Sequence, residues 1–444
     1  MNPVQTVEGL SGQVIVDLTK KHTLFEWSAQ GAIDPIPVAG AKGCWFWTPE
    51  GKRYLDFNSQ LMCVNIGHGD ERVIRAIAHQ AETLAYANPF MATEVRARLG
   101  RKLAEICPGD IEVFFFTNGG AEANENAIKI ARLYTGRHKV MSFYRSYHGG
   151  TAGSVTLTGD PRRWPAEPGM PGVVHVLNPY HGVQRGWEPT DLALARIEET
   201  IQLEGPNTIA ALFMETVVGT NGVLIPPEGF LQGIRELCTK YGILMVADEV
   251  MSGFGRTGEW FAVDHWRVVP DLMTMAKGLT SAYAPLGAVA MKPEIAAAFN
   301  DTPFESGLTY TSHPISLAAA IANINVMKDD HIVEHAAAMG PVLKRMLTDL
   351  GEGHPSVGEV RNIGLFGILE LVRDRRTKEP MAPWNSSSPE MNALRKYCLD
   401  HGLYLYTHWH TILIIPPLII TEEQLKEGID VLDKALEITD QAVK

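Results

Sequence analysis

Between about Asp110 and Val326 the chain alternates short, almost wholly apolar runs with longer stretches of helical period, and this restricts the fold more than any other feature. The runs Val113–Thr117, Lys139–Phe143, Ile209–Glu215, Ile243–Ala247, Leu272–Met275 and Leu286–Met291 read as strands. Strands apolar on both faces cannot leave either face in water, so helices must cover both. Helical patterns at Ala121–Leu133 and Gly229–Tyr241 fall between them. The expectation is an α/β fold with a mostly parallel sheet sandwiched by helices.

The two ends read differently. Gly43–Thr48 and Arg53–Phe57 form a hairpin-like pair around Pro49-Glu50-Gly51. The C-terminal stretch offers a helix over Ile332–Leu350, strands near Val360–Leu371 and Thr411–Ile415, and a last helix over Glu422–Val443. Asn385–Pro389 is the clearest loop. The pattern predicts a large domain over 63–325 and a smaller α+β domain assembled from 1–62 and 326–444. A chain of 444 residues exceeds one simple core, which fits such a division.

Composition narrows the function. With 45% hydrophobic and 20% charged residues the chain has the balance of a soluble globular enzyme. Its net charge of -12 gives no electrostatic reason to bind nucleic acid or an anionic membrane. Met1–Leu10 lacks the basic-then-apolar pattern of a secretory leader, and Ile412–Ile420, broken by Pro416-Pro417, is too short to span a bilayer. The five cysteines (Cys44, Cys63, Cys107, Cys238, Cys398) are scattered, without a Cys-x-x-Cys pair. They read as reduced thiols, with neither a disulfide framework nor a metal site. Together these features point to a cytoplasmic protein.

The chemistry concentrates at two strand ends. In Gly242–Asp248 five apolar residues precede a carboxylate, a costly position unless the acid meets a cation or an N–H donor. The run after Asp271 delivers Lys277 to the same crevice. A lysine amine that can condense with an aldehyde, facing an acid that can keep a pyridine nitrogen protonated, suits pyridoxal phosphate. Thr117-Asn118-Gly119-Gly120-Ala121 joins a strand to a helix start, an anion site made of backbone N–H groups. Tyr147 and His148 follow the strand Lys139–Phe143, and Glu215 ends Ile209–Glu215. Each has a plainer reading taken singly. The glycine pair serves ordinary tight turns, a Tyr-His pair is commonly structural, and Glu215 suits a cap or salt bridge. Arg256, in the glycine-rich run Gly253–Gly258, is as well suited to a structural role as to a ligand, and Thr309 offers a hydroxyl to a phosphate.

Taken in order, these segments resemble the class III aminotransferases, the ω-amino-acid group of fold-type-I pyridoxal-phosphate enzymes. The likeness starts with Tyr54-Leu-Asp56 and Asn65-Ile-Gly-His-Gly69. It runs through Gly119–Glu125, Tyr147-His-Gly149, Asp248-Glu-Val250, Gly253–Gly258, Ala276-Lys-Gly278, Thr309–Pro314 and Pro416-Pro417. The resemblance implies that Lys277 binds the cofactor and carries the proton, and that Asp248 pairs with the pyridine nitrogen. Val250 and Tyr147 would flank the ring, and backbone N–H groups of Gly120 and Ala121 would hold the phosphate. Glu215 would stand near the phenolic side of the ring or the substrate entrance. Thr309 would reach the phosphate of a partner subunit, making a homodimer the minimal active unit, with a tetramer as an alternative.

The chain also departs from the family pattern. Ala121 stands where a serine or threonine is usual in the phosphate loop, Thr216 where proline is common, and Met62 where many ω-transaminases carry a tryptophan. Alignment on Pro416-Pro417 puts Tyr406 where many members place an arginine for a substrate carboxylate. His408, His410 or another arginine such as Arg163 are the candidates for that missing charge. The resemblance implies ping-pong transfer from an ω-amino acid or amine, taurine and β-alanine foremost, to the keto acid pyruvate. An aminomutase of the same family, or a transaminase of simple amines or diamines, stays open. A nucleotide-dependent dehydrogenase would need a Gly-x-Gly-x-x-Gly after the first strand, which is missing. A catalytically dead scaffold would have no use for Lys277, Asp248 and Tyr147 together.

Overall fold

A computed structural model describes residues 9–444. The N-terminal residues 1–8, including most of the Met1–Leu10 segment read for a leader and the start of the 1–62 span, lie outside the described residues. At the centre is a seven-stranded sheet. Its spatial order is Val113–Thr117, Gly287–Met291, Leu272–Met275, Leu244–Asp248, Ile209–Glu215, Lys139–Phe143 and Val173–Val176. The last five are mutually parallel. Every residue of Ile209–Glu215 and Leu244–Asp248 is buried, as strands covered on both faces require.

One strand runs against the rest. Gly287–Met291 is antiparallel to both its neighbours, Val113–Thr117 and Leu272–Met275. The cause lies in the connection 276–286, which holds only a single 3-10 turn, Lys277–Leu279. Parallel re-entry needs a longer crossover, usually a helix, so the chain reverses and pairs directly. The sheet edge Val173–Val176 is a strand the sequence reading did not include.

Both termini contribute to smaller sheets. Gly40–Lys42, Trp45–Trp47 and Arg53–Asp56 form an antiparallel meander. Leu403–Tyr404, from the far end of the chain, pairs in parallel with Arg53–Asp56. The apolar stretch expected as one strand near Val360–Leu371 is a hairpin, Val357–Ile363 with Phe366–Asp374, turned at a positive-φ Gly364. Thr411–Ile414 and Tyr406–His408 extend that sheet. Among the described residues no helix is long and apolar enough to cross a membrane.

Candidate active site

Parallel register sets three side chains in a row. Glu215 is paired with Asp248, and Asp248 with Thr274, at the C-terminal ends of three adjacent strands. This is where open α/β sheets bind ligands. Lys277 follows Met275 on the last of these strands, in the αL region with φ 44°, a strained backbone for a side chain of this size.

Asp248 is 3% exposed, yet its carboxylate is well supplied with donors. Oδ2 accepts from Asn124 Nδ2 at 2.8 Å and from His148 Nδ1 at 2.7 Å. Oδ1 accepts from the Val250 N–H at 3.0 Å. Because a carboxylate oxygen only accepts, His148 carries its hydrogen on Nδ1, and its buried Nε2 has no partner among the described residues. Asn124 is itself fixed, its Oδ1 taking the Thr274 hydroxyl at 2.9 Å and its Nδ2 also donating to the His148 carbonyl at 2.8 Å. Asn124 falls within the Gly119–Glu125 motif, but no linear signal pairs it with Asp248.

Burial pulls the Lys277 ammonium below the usual lysine range, against the opposing pull of Cys63, Glu215 and Asp248. Such a shift brings an amine closer to acting as a base near neutral pH. Glu215, 7% exposed, accepts from the Tyr147 N–H and the Gly219 N–H, both at 2.8 Å. Burial, with Asp248 adding to it, pushes its pKa up to about 7. Glu249, which the sequence reading did not single out, is likewise pushed up to about 7 by burial. It takes the Ser252 hydroxyl at 2.6 Å and the N–H groups of Ala262 and Val263.

The helix Gly120–Thr135 starts at Gly119 with no side-chain cap, so its first N–H groups remain for a bound anion. A methyl group at Gly120 would lie 2.9 Å from Val250 Cγ1, which means that the glycine and the valine form one wall of the site. Gly149, at φ +139°, backs onto Ala121: a Cβ there would come within 2.5 Å of its Cα. Tyr147 is half-buried, with the Arg162 guanidinium 3.8 Å from its ring centroid and the Trp27 ring edge-on at 6.2 Å.

Three further residues singled out in the sequence have settings of their own. Arg256 is fully buried and serves as a tie, not a ligand group. It donates to the carbonyls of Leu365 (3.0 Å) and Pro416 (2.6 Å), to Ser59 Oγ (3.2 Å) and to Asn65 Oδ1 (3.1 Å). Thr309 lies exposed on a loop, its carbonyl accepting from Tyr86 Oη at 2.8 Å. Among the described residues no hydrogen bond links it to the Gly119–Ala121 loop. Met62 is buried in an apolar cluster with Val217, Val223 and Met251, against which Tyr406 packs.

An amine, a buried acid and an uncapped helix start thus lie at the same end of the sheet, and the comparisons with known proteins fit that arrangement. The description "Aminotransferase class-III" matches residues 28–436. The chain belongs to the class III aminotransferases. Members of this family depend on pyridoxal phosphate, and the aminotransferase has their fold-type-I architecture. It is 34% identical to a putrescine–pyruvate aminotransferase of Pseudomonas aeruginosa, over 91% of each chain. It is 33% identical to a hypotaurine/taurine–pyruvate aminotransferase of Paracoccus denitrificans, over 94% of each. A solved taurine:2-oxoglutarate aminotransferase from Bifidobacterium kashiwanohense, in complex with PLP and glutamate, superposes with a TM-score of 0.95. It is 41% identical, covering 98% of this chain and 99% of the other.

Proposed function

We propose that the aminotransferase moves an amino group from an ω-amino acid or amine, taurine and β-alanine first among them, to pyruvate. The observation that carries this reading is the pairing of a desolvated Lys277 with a buried Asp248 held by Asn124, His148 and Val250. The relatives' activities support the substrate class: two use pyruvate, and two accept taurine or hypotaurine.

The residues fit pyridoxal phosphate. The uncapped N–H groups at Gly120 and Ala121 suit its phosphate, the Gly120–Val250 wall and Tyr147 suit its ring, and Lys277 suits its aldehyde. When bound, the cofactor supplies a ring that accepts electrons from a carbon bearing the substrate's amine. Lys277 Nζ would take up and return the proton of that carbon, and the lowered basicity of a desolvated amine suits both directions. Asp248 would keep a proton on the ring nitrogen of the bound cofactor, and its three donors keep the carboxylate from turning away. Glu215 positions Tyr147 through the backbone N–H and so fixes the wall of the crevice. Thr309 is suited to the cofactor phosphate of a second copy, which would make the dimer the working unit.

The test is a donor panel. Cofactor-loaded protein with pyruvate should form alanine fastest from taurine or β-alanine, compared with 4-aminobutyrate, putrescine and a simple aromatic amine. Net alanine formation separates transfer from an aminomutase, which would return the amine to its own substrate. No alanine from any donor would remove the reading. A run with 2-oxoglutarate in place of pyruvate assigns the acceptor.

A further inference from the structure

We propose that Arg162 receives the acidic group of the substrate, a carboxylate or sulfonate, in the chamber between Tyr147 and Tyr406. The proposal rests on the reading of the Lys277 site above and adds the acid-binding subsite that site requires.

Tyr406 stands where an arginine would serve this purpose, so the charge must come from elsewhere. His408 does not supply it: burial, with Arg162 next in effect, pulls its pKa down to about 4 and leaves the ring neutral. His410 lies 3.5 Å from Glu370, a carboxylate already engaged by Tyr180 and Arg361. Arg163 is engaged away from Tyr147, pairing with Glu167 at 3.1 Å, donating to the Gly159 carbonyl at 2.9 Å and lying over the Tyr144 ring. All three sequence candidates are therefore set aside.

Arg162 precedes Arg163 in the 3-10 turn Pro161–Ala166, where successive side chains diverge by about a third of a turn. The divergence carries the two side chains to different neighbours and places the Arg162 guanidinium 3.8 Å from the Tyr147 ring centroid. Asp160 grips one edge of the fork, with Nε at 3.1 and 3.0 Å from its two oxygens and Nη2 closing on Oδ2. Nη2 also donates to Thr220 Oγ1 at 2.9 Å. Asp160 is 1% exposed and is braced in turn by Asn221 Nδ2 at 2.9 Å. Nη1 makes no hydrogen bond among the described residues.

The result is a guanidinium with one edge locked and the other open. Its orientation is set before any ligand arrives, which lowers the entropic cost of gripping an oxyanion. Tyr147, over whose ring the guanidinium lies, donates its N–H to Glu215, which is paired with Asp248 on the adjacent strand, so Arg162 borders the same strand ends as the reacting amine. Asp160 is a positioning residue: it aims the fork without facing the ligand.

The test uses the cofactor-loaded enzyme and three forms: Arg162→Gln, Arg162→Lys, and the double variant Asp160→Asn with Arg162→Gln. The double variant removes the buried acid together with its partner, so no uncompensated carboxylate is left to unfold the protein. The readout is the first half-reaction, followed by fading of the cofactor absorbance, with β-alanine, taurine and acid-free 1-phenylethylamine. The ratio of kcat/KM for each acid donor over the acid-free amine should fall on the order of 30–100-fold in both glutamine forms. The loss should sit in KM, with Arg162→Lys intermediate. Inhibition by unreactive propionate and ethanesulfonate should weaken in parallel; a loss confined to one of them assigns the subsite to that oxyanion. A ratio unchanged from wild type in both glutamine forms overturns the proposal while leaving the Lys277 reading intact. If wild type fails to transfer from any donor, the Lys277 reading falls instead, and propionate binding followed by calorimetry still decides Arg162.

Discussion

His148 Nδ1 lies 2.7 Å from Asp248 Oδ2, and both side chains are buried. The histidine follows one strand and the aspartate ends another, so the contact exists only because the sheet order brings their C-terminal ends together. It fixes the acid that we assign to the ring nitrogen.

Replacing that acid separates charge from shape. Asp248→Asn keeps the size of the side chain but removes the negative charge that we assign to the ring nitrogen. Transfer to pyruvate should slow on the order of 10³-fold. Steady-state alanine formation checks it, and a rate near wild type would exclude the electron-sink role. His148→Ala should act more mildly. It removes one charge-assisted hydrogen bond, a loss of about 1.5–3 kcal/mol in orienting Asp248.

Much of this was legible in the sequence. Asp248 after its apolar run, Lys277 after the next, and the glycine pair at 119–120 stand out because burial makes an acid or a lysine there conspicuous. Asn124, Glu249 and Arg162 were not legible, because each acquires meaning from a neighbour distant in the chain. Asn124 faces Asp248 across the helix-to-sheet packing, and Arg162 is told from Arg163 only by the direction of one 3-10 turn. The antiparallel strand Gly287–Met291 was hidden for a similar reason, since an apolar run carries no sign of its direction. Arg256 read equally well as ligand or brace, and only the four acceptors around it decide the matter.

Gly120→Ala tests the wall that we assign to the cofactor. The added methyl group would meet Val250 Cγ1 at 2.9 Å and Cγ2 at 3.0 Å. Overpacking of this kind costs about 1–3 kcal/mol. Cofactor affinity, titrated by fluorescence quenching, should weaken about tenfold or more, whereas the same change at Gly136, a C-cap with open space around it, should leave affinity alone.

Glu215 gives a pH signature. Its folded pKa, about 7, lies above the ordinary 4.5, so between those values the folded state binds more protons than the unfolded state. Stability from this group is fully present below pH 4.5 and is lost as pH rises through about 7, a swing on the order of 3 kcal/mol. Glu215→Gln cannot titrate. Thermal melts at pH 5 and pH 8 should therefore differ less in the variant than in wild type; an equal difference would contradict the shift.

Arg256→Met should destabilise without touching the chemistry directly. It strips the donor from four acceptors that join the N-terminal segment, the hairpin at Leu365 and Pro416. Leaving buried acceptors unpaired costs about 1–3 kcal/mol each, so the unfolding midpoint should drop by many degrees. Differential scanning calorimetry measures it.

The central claim is that Lys277 is the amine that holds the cofactor. Borohydride reduction of the cofactor-loaded protein, followed by proteolysis and peptide mass spectrometry, tests it most directly. The account predicts the added phosphopyridoxyl mass on the peptide containing Lys277, and none in Lys277→Ala. The mass on any other lysine, or its persistence in the variant, would contradict it.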